Sequence, residues 1–255
     1  MIGSLFALLI IPSCMTSAYQ STGLIGSHHS QSASLPVWRR GTYKNNHSDE
    51  TLETALSNQM GGFLYRTSVF DKDELNTITS ELSACAKRLV PETASSIAHH
   101  RMGTALPKTS PTVQILRDGS LSRLVKRVVG RDYKLCEELP IEVRTYEKVG
   151  ASMAWHVDDV LYDSPQVEVI WTLENTSNCR TMWKQDGNVR AVETDPNAVV
   201  LLRAGGPLHC VTSLKWGRRV ILKCAYASKE ATFSKGLHTN QFDLQLPKKK
   251  RRRKR

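Results

Sequence analysis

Four stretches between Ile141 and Tyr226 decide what this chain can fold into. Ile141–Tyr146 and Val167–Leu173 alternate apolar and polar residues, Asn197–Leu202 is a continuous apolar run, and Arg219–Tyr226 alternates again. Successive side chains of a strand point to opposite faces, so alternation marks a strand with two unlike faces, and an unbroken run marks one covered on both. Gly, Asn, Asp and Pro clusters separate the stretches, as turns between short strands require. Upstream, Gly62–Phe70 reads as a short strand. Asp71 follows as an N-cap with Glu74 completing a capping box, and Leu75, Ile78, Leu82, Cys85 and Leu89 continue at helical spacing until Pro91. Residues 92–112 are polar and irregular, and a second helix is predicted from Ser120 to Val129, stopped by Gly130. Two helices followed by many short strands predict an α+β chain, mainly β: a sandwich or jelly roll with the helices packed outside.

At 255 residues the chain suits one domain with extensions. Its net charge is +11, but eight positive charges lie in the run Lys248–Arg255, leaving +3 for the rest. Basicity therefore belongs to an appendage, and no specific nucleic-acid face is predicted; the tail is read as a solvated run able to meet acidic partners. The six cysteines, at 14, 85, 136, 179, 210 and 224, include no CxxC pair. That disfavours a zinc ribbon and leaves buried thiols as the simple reading.

Residues 1–18 carry an apolar run, Leu5–Ile11, followed by Pro12 and small residues to Ala18. This fits a signal peptide and is too short to span a bilayer, so no transmembrane segment is expected. Residues 1–48 contain no Asp or Glu, and 19–58 is Ser-rich, reading either as a transit-like stretch or as a disordered linker. The first alternative resembles the bipartite plastid leaders of algae with secondary plastids. The leader points to the secretory route and, on the bipartite reading, a plastid; the basic tail alone would point to the nucleus. The leader carries more weight, because position and composition agree there.

Within this frame, Ala154-Trp155-His156-Val157-Asp158-Asp159 stands out. His156 and Asp158 are two residues apart, so on an extended segment an imidazole and a carboxylate can face one ion. The spacing alone says little, since His47-Ser48-Asp49 repeats it in the polar leader. His209, 51 residues after Asp158, supplies a second imidazole after the intervening strands, and Arg219 stands ten residues beyond His209. Two His and a carboxylate form the facial triad of non-haem Fe(II) oxygenases. An Arg further along suits a cosubstrate carboxylate.

Residues 60–228 resemble the Fe(II)/2-oxoglutarate-dependent dioxygenases, closest to their prolyl 4-hydroxylase-like branch. The resemblance rests on the HxD motif running into Trp171-Thr172-Leu173-Glu174-Asn175, on Asp195–Leu202 before the distal His, and on His209 followed by Gly217-Arg218-Arg219. Ala198 stands where the family usually has Gly. The resemblance implies a double-stranded β-helix (jelly roll, cupin-like) over 59–228, with its HxD…H core in 141–228, N-terminal supporting helices and a tail from 229. It implies Fe(2+) held by His156, Asp158 and His209. It further implies 2-oxoglutarate on Arg219, with Arg218 as fallback and Tyr146 and Thr172 as further contacts. O2 would be the oxidant and ascorbate an optional reductant. The implied reaction hydroxylates an unactivated C–H bond, of a protein or peptide side chain or of a small molecule, with succinate and CO2 as co-products.

Two other readings compete. A non-catalytic jelly-roll binding module would keep the fold without the chemistry, yet all four site residues are present. Nucleic-acid demethylases of this superfamily carry a second Arg six residues after the first, where this chain has Ala225. The segments 92–116 and 159–166 are the expected substrate loops. Trp155, Trp171, Trp183 and Trp216 are read as core or rim.

Overall fold

The computed structural model describes residues 62–234, Ala94 excepted. The predicted leader, linker and basic tail lie outside the described residues. Among those described, no helix is long and apolar enough to cross a membrane.

Strand β1 (Phe63–Arg66) leads into helix α1 (Lys72–Cys85). The capping box at its start is present: the Asp71 carboxylate accepts from the backbone N–H of Asp73 and Glu74, and the Asp71 N–H donates to Glu74. A single 3-10 turn, Ala86–Arg88, ends the helix before Leu89, earlier than the apolar spacing suggests, because Leu89 is already extended. The stretch read as irregular is structured. Preceded by β2 (Val90–Pro91), it holds β3 (Ala98–His99), β4 (Met102–Ala105) and the start of a third helix, α2 (Pro111–Asp118). That helix has Ser110 as N-cap and Pro at its first position, a start signal present in the sequence. Helix α3 (Ser120–Val128) follows where predicted.

The remaining strands are β5 (Tyr133–Leu135), β6 (Glu142–Tyr146), β7 (Ser152–His156), β8 (Val167–Asn175), β9 (Thr181–Gln185), β10 (Asn188–Val192), β11 (Ala198–Arg203), β12 (His209–Val211) and β13 (Arg219–Ser228). They form two antiparallel sheets. The larger runs β1-β11-β8-β13-β6-β4-β2, with β5 also on β13, and the smaller runs β10-β9-β12-β7-β3. From β6 to β13 the chain passes back and forth between the two sheets, which is the winding of a double-stranded β-helix.

Alternation assigns the faces of the larger sheet. Val167, Val169 and Trp171 of β8 and Val220, Leu222, Cys224 and Tyr226 of β13 pack against Ile78, Leu116, Leu121 and Val125 of the helices. Burying such side chains is worth about 1.5–3 kcal/mol each. The opposite parity, including Glu142, Arg144 and Tyr146 of β6 and Arg219, Ile221 and Lys223 of β13, faces the inside of the β-helix. The five described cysteines are unpaired thiols, all buried.

Candidate metal centre and cosubstrate site

His156 ends β7 and His209 opens β12, and antiparallel pairing sets the two residues opposite each other. Their rings lie 4.2 Å apart between centroids. Asp158 leaves β7 two residues later, and its backbone carbonyl accepts a 2.8 Å hydrogen bond from Gly205 N–H. Gly205 has φ +70°, and a Cβ there would lie 2.8 Å from Val160, so this close approach to the Asp158 segment needs glycine. One ligand atom from each of His156, Asp158 and His209 falls within 4.8 Å of the others.

Both imidazoles are oriented from behind. His156 Nδ1 donates to Ala154 O at 2.9 Å and His209 Nδ1 to Pro207 O at 3.0 Å. A carbonyl only accepts, so each neutral ring carries its proton on Nδ1 and turns a bare Nε2 inward. Burial and the neighbouring His209 push the His156 pKa down to about 4, keeping the ring neutral. His209 Nε2 faces Asp158 Oδ2 at 3.5 Å, and that oxygen is buried without a hydrogen-bond partner. Two acceptors facing each other with no proton between them repel, and a shared cation removes the conflict. Burial works to raise the Asp158 pKa, but the Lys223 ammonium beside it outweighs this and holds it at about 2, so the carboxylate is charged.

Deeper in the β-helix lies Arg219. Gly217 ends the preceding turn at φ +79°, and a Cβ there would meet Thr176 O at 2.3 Å. Thr176 and Arg218 exchange backbone and hydroxyl hydrogen bonds across this turn, which fixes where β13 starts. Arg219 is fully buried. Its Nη2 donates to Thr181 Oγ1 at 3.0 Å, while Nε and Nη1 have no partner. An unpartnered buried guanidinium is costly, and an anion there resolves it. Tyr146, opposite Arg219 in the β6–β13 register, has its ring 5.7 Å from the Arg219 guanidinium and equally far from that of Arg101. Arg101 donates to the Tyr146 hydroxyl at 3.1 Å. Thr172 is buried on the same face and bonds to Thr194 Oγ1 at 2.8 Å.

Arg218 does not join this group. It lies at the surface, paired with Glu147 and Glu174 at 2.7 Å each, as strand alternation requires of the neighbour of an inward Arg219. Trp171 is core, whereas Trp155 and Trp216 are exposed.

Sequence reasoning missed a charged interior. Lys223 Nζ bridges Asp158 Oδ1 at 3.2 Å and Glu168 Oε2 at 3.4 Å. Arg144 pairs with Glu142 and with Glu92, and Arg101 pairs with Glu92. The signal was present as charges recurring on one parity of β6, β8 and β13, a pattern that in a single exposed sheet marks the wet face. Beyond Lys223 opens a pocket of about 530 Å³. Its lining takes Ala105–Lys108 and Val113 from the first expected loop and Asp159 and Leu161 from the second. It adds residues 135–142 and Phe233, which carry no motif that marks them as pocket residues. The 159–166 loop is braced by buried Gln166, which accepts from Leu161 N–H and donates to Asp159 O.

No family model matches this sequence, and no curated protein matches it. The folded chain does match solved structures. An oxidoreductase of the 2OG-Fe(II) oxygenase family from Burkholderia pseudomallei superposes with a TM-score of 0.58 at 15% identity, over 75% of this chain and 96% of that one. The fold is that of the 2OG-Fe(II) oxygenases. Within this fold, a prolyl hydroxylase from Trichoplax adhaerens, in complex with a hypoxia-inducible-factor peptide fragment, superposes at 0.58 and 12% identity, over 71% of this chain and 89% of that one. HygX from Streptomyces hygroscopicus, with nickel, 2-oxoglutarate and hygromycin B bound, does so at 0.55 and 16% identity, over 72% and 88%.

Proposed function

We propose that this chain is an Fe(II)- and 2-oxoglutarate-dependent oxygenase that hydroxylates an unactivated C–H bond, foremost in a side chain of a protein or peptide. One observation carries the reading. The same β-helix interior holds two bare imidazole Nε2 atoms facing a buried carboxylate and, deeper in, a buried guanidinium with two unpartnered nitrogens. A triad alone would suit many divalent ions, and a buried Arg alone would suit many anions. Together they suit a metal and a dianionic cosubstrate.

His156, Asp158 and His209 would hold Fe(II), and Arg219, assisted by Thr181 and Tyr146, would hold a carboxylate of 2-oxoglutarate. When bound, this pair couples O2 reduction to decarboxylation of the cosubstrate and so supplies the oxidant for the C–H bond. The chain's own work is placement. Ala154 O and Pro207 O fix the two imidazoles, Gly205 fixes the Asp158 backbone, and Lys223 holds the Asp158 oxygen that does not face His209. The buried surroundings of Arg219 exclude water and strengthen its grip on an anion. A small-molecule substrate is the second reading, favoured by a pocket volume of about 530 Å³, within the usual range for small ligands.

The test is anaerobic. The full chain is mixed with Fe(II) and 2-oxoglutarate and watched for the visible charge-transfer band that chelation produces. The band should appear in the wild type, vanish in Asp158→Ala, and need more 2-oxoglutarate in Arg219→Ala. A folded wild type without the band would leave a binding module in its place.

A further inference from the structure

Resting on that oxygenase reading, we infer that the substrate carries a protonated amine, received by Glu142 on the floor of the pocket beyond Lys223. Glu142 opens β6 with its side chain turned inward, opposite Lys223 of β13 and Ala105 of β4. Its residue surface is 2% exposed, and it lines the pocket. Oε2 takes the Arg144 guanidinium, whereas Oε1 is buried and has no hydrogen-bond partner. A half-paired carboxylate at the bottom of a cavity is an acceptor waiting for a donor from the occupant.

Arg144 is matched by Glu142 and Glu92, and Lys223 by Asp158 and Glu168, so neither is a spare anion receptor. Nearer the surface, Glu137 pairs with Arg117 at 3.0 Å and Glu138 accepts from the Tyr162 hydroxyl. Over the whole lining six carboxylates meet three cations. With Glu142 set against Arg144, a divalent ion on Asp158 would bring the rest of the lining to balance. Burial raises the Glu142 pKa against the pull of Arg144 and Lys223, and a further cation at Oε1 would hold the carboxylate charged.

The lining also offers the apolar side chains Leu106, Leu135, Leu139, Ile141, Leu161 and Phe233. An aliphatic body ending in an ammonium matches this lining: methylenes against the apolar side chains, and three N–H donors for the buried carboxylate. A lysyl side chain or a free alkylamine has this chemistry.

The experiment compares three probes of similar size: Nα-acetyl-lysine methylamide, its norleucine analogue and its glutamate analogue. Dissociation constants are measured by calorimetry on the full chain loaded with Zn(II) and 2-oxoglutarate. The Fe(II)/2-oxoglutarate band is recorded on the same preparation. The lysine probe should bind at least about tenfold more tightly than either analogue, the scale of one charge-assisted hydrogen bond. Glu142→Gln should remove that preference while keeping the band. Equal binding of the three probes, tighter binding of the glutamate probe, or no binding of the lysine probe would each overturn the inference, with the band showing that the oxygenase reading survives. An absent band would remove that reading and this one with it. Should Glu142→Gln fail to fold, Glu142→Asp, which withdraws the carboxylate by one methylene, takes its place; an unchanged lysine preference in whichever variant folds would overturn the inference.

Discussion

Replacing Arg219 by Met separates stability from binding. The side chain is fully buried, and two of its three nitrogens lack partners. Replacing a buried charge by an apolar residue of similar volume is neutral or stabilising by about 1–4 kcal/mol. Thr181 Oγ1 loses its donor in exchange, which takes back about 1 kcal/mol. The ligand-free variant should therefore melt higher, by up to roughly 10 °C at about 2–4 °C per kcal/mol for a domain of this size. Binding of 2-oxoglutarate should suffer in the opposite direction. Two lost charge-assisted hydrogen bonds at about 1.5–3 kcal/mol each correspond to roughly 10²–10⁴ in Kd. The assay is a pair of thermal melts, with and without saturating 2-oxoglutarate, at fixed metal. The wild type should gain Tm on adding the cosubstrate, whereas Arg219→Met should start higher and gain nothing. A variant that melts lower and still responds to 2-oxoglutarate would refute the assignment of Arg219 as an anion receptor kept at a cost to the fold.

Other outcomes follow from the same geometry. Lys223→Met strips the cation from both Asp158 and Glu168, and breaking a buried pair in this way should destabilise the metal-free chain by about 3–5 kcal/mol in urea unfolding. Gly217→Ala should be destabilising by about 1–3 kcal/mol, because φ is +79° and Thr176 O stands 2.3 Å from the new Cβ, and 2-oxoglutarate binding should weaken as β13 shifts. For Glu92, burial raises the carboxyl pKa, but Arg144 and Arg101 outweigh it and hold it below the ordinary value. The unfolded chain then binds this proton more readily, so the stabilisation is present above the usual glutamate range, about 4.3, and is lost as pH falls through the lower folded value. Urea midpoints measured downward from pH 6 should show that loss in the wild type and a flatter profile in Glu92→Gln.

The fold was legible where periodicity had one cause. On β8 and β13 the apolar parity meets the helices, and the capping box at Asp71 has the hydrogen bonds its spacing implied. The approach of His156, Asp158 and His209 and the inward turn of Arg219 were legible only from several motifs taken together, since the HxD spacing alone repeats at His47. Two things were hidden. Residues 92–112 are too short and polar to show a period, so β3 and β4 gain their place only by pairing with β7 and β6. The charged parity of β6 and β13 looked like a solvent face, whereas the second sheet covers it and turns Glu142 and Arg144, with half-buried Lys223 beside them, into a polar interior. The chain records which residues share a face; what covers that face is a tertiary fact.

The position of β13 also fixes when the protein becomes itself during folding. The last strand in sequence sits in the middle of the larger sheet, between β8 and β6, with β5 on it as well. The outer strand β1 joins β11 across the chain, Phe63 opposite Leu202. Nearly every pairing in this sheet spans a long loop, so closure is slow and the gain comes late. Before β13 arrives, β6 and β8 present raw edges and the helices lack half of their floor. Its arrival zips the sheet, covers the core and sets Arg219 beside Tyr146 in one event. Folding and the placing of Arg219 are thus the same step, and a chain stopped before residue 219 would be an aggregation-prone intermediate, not a smaller protein.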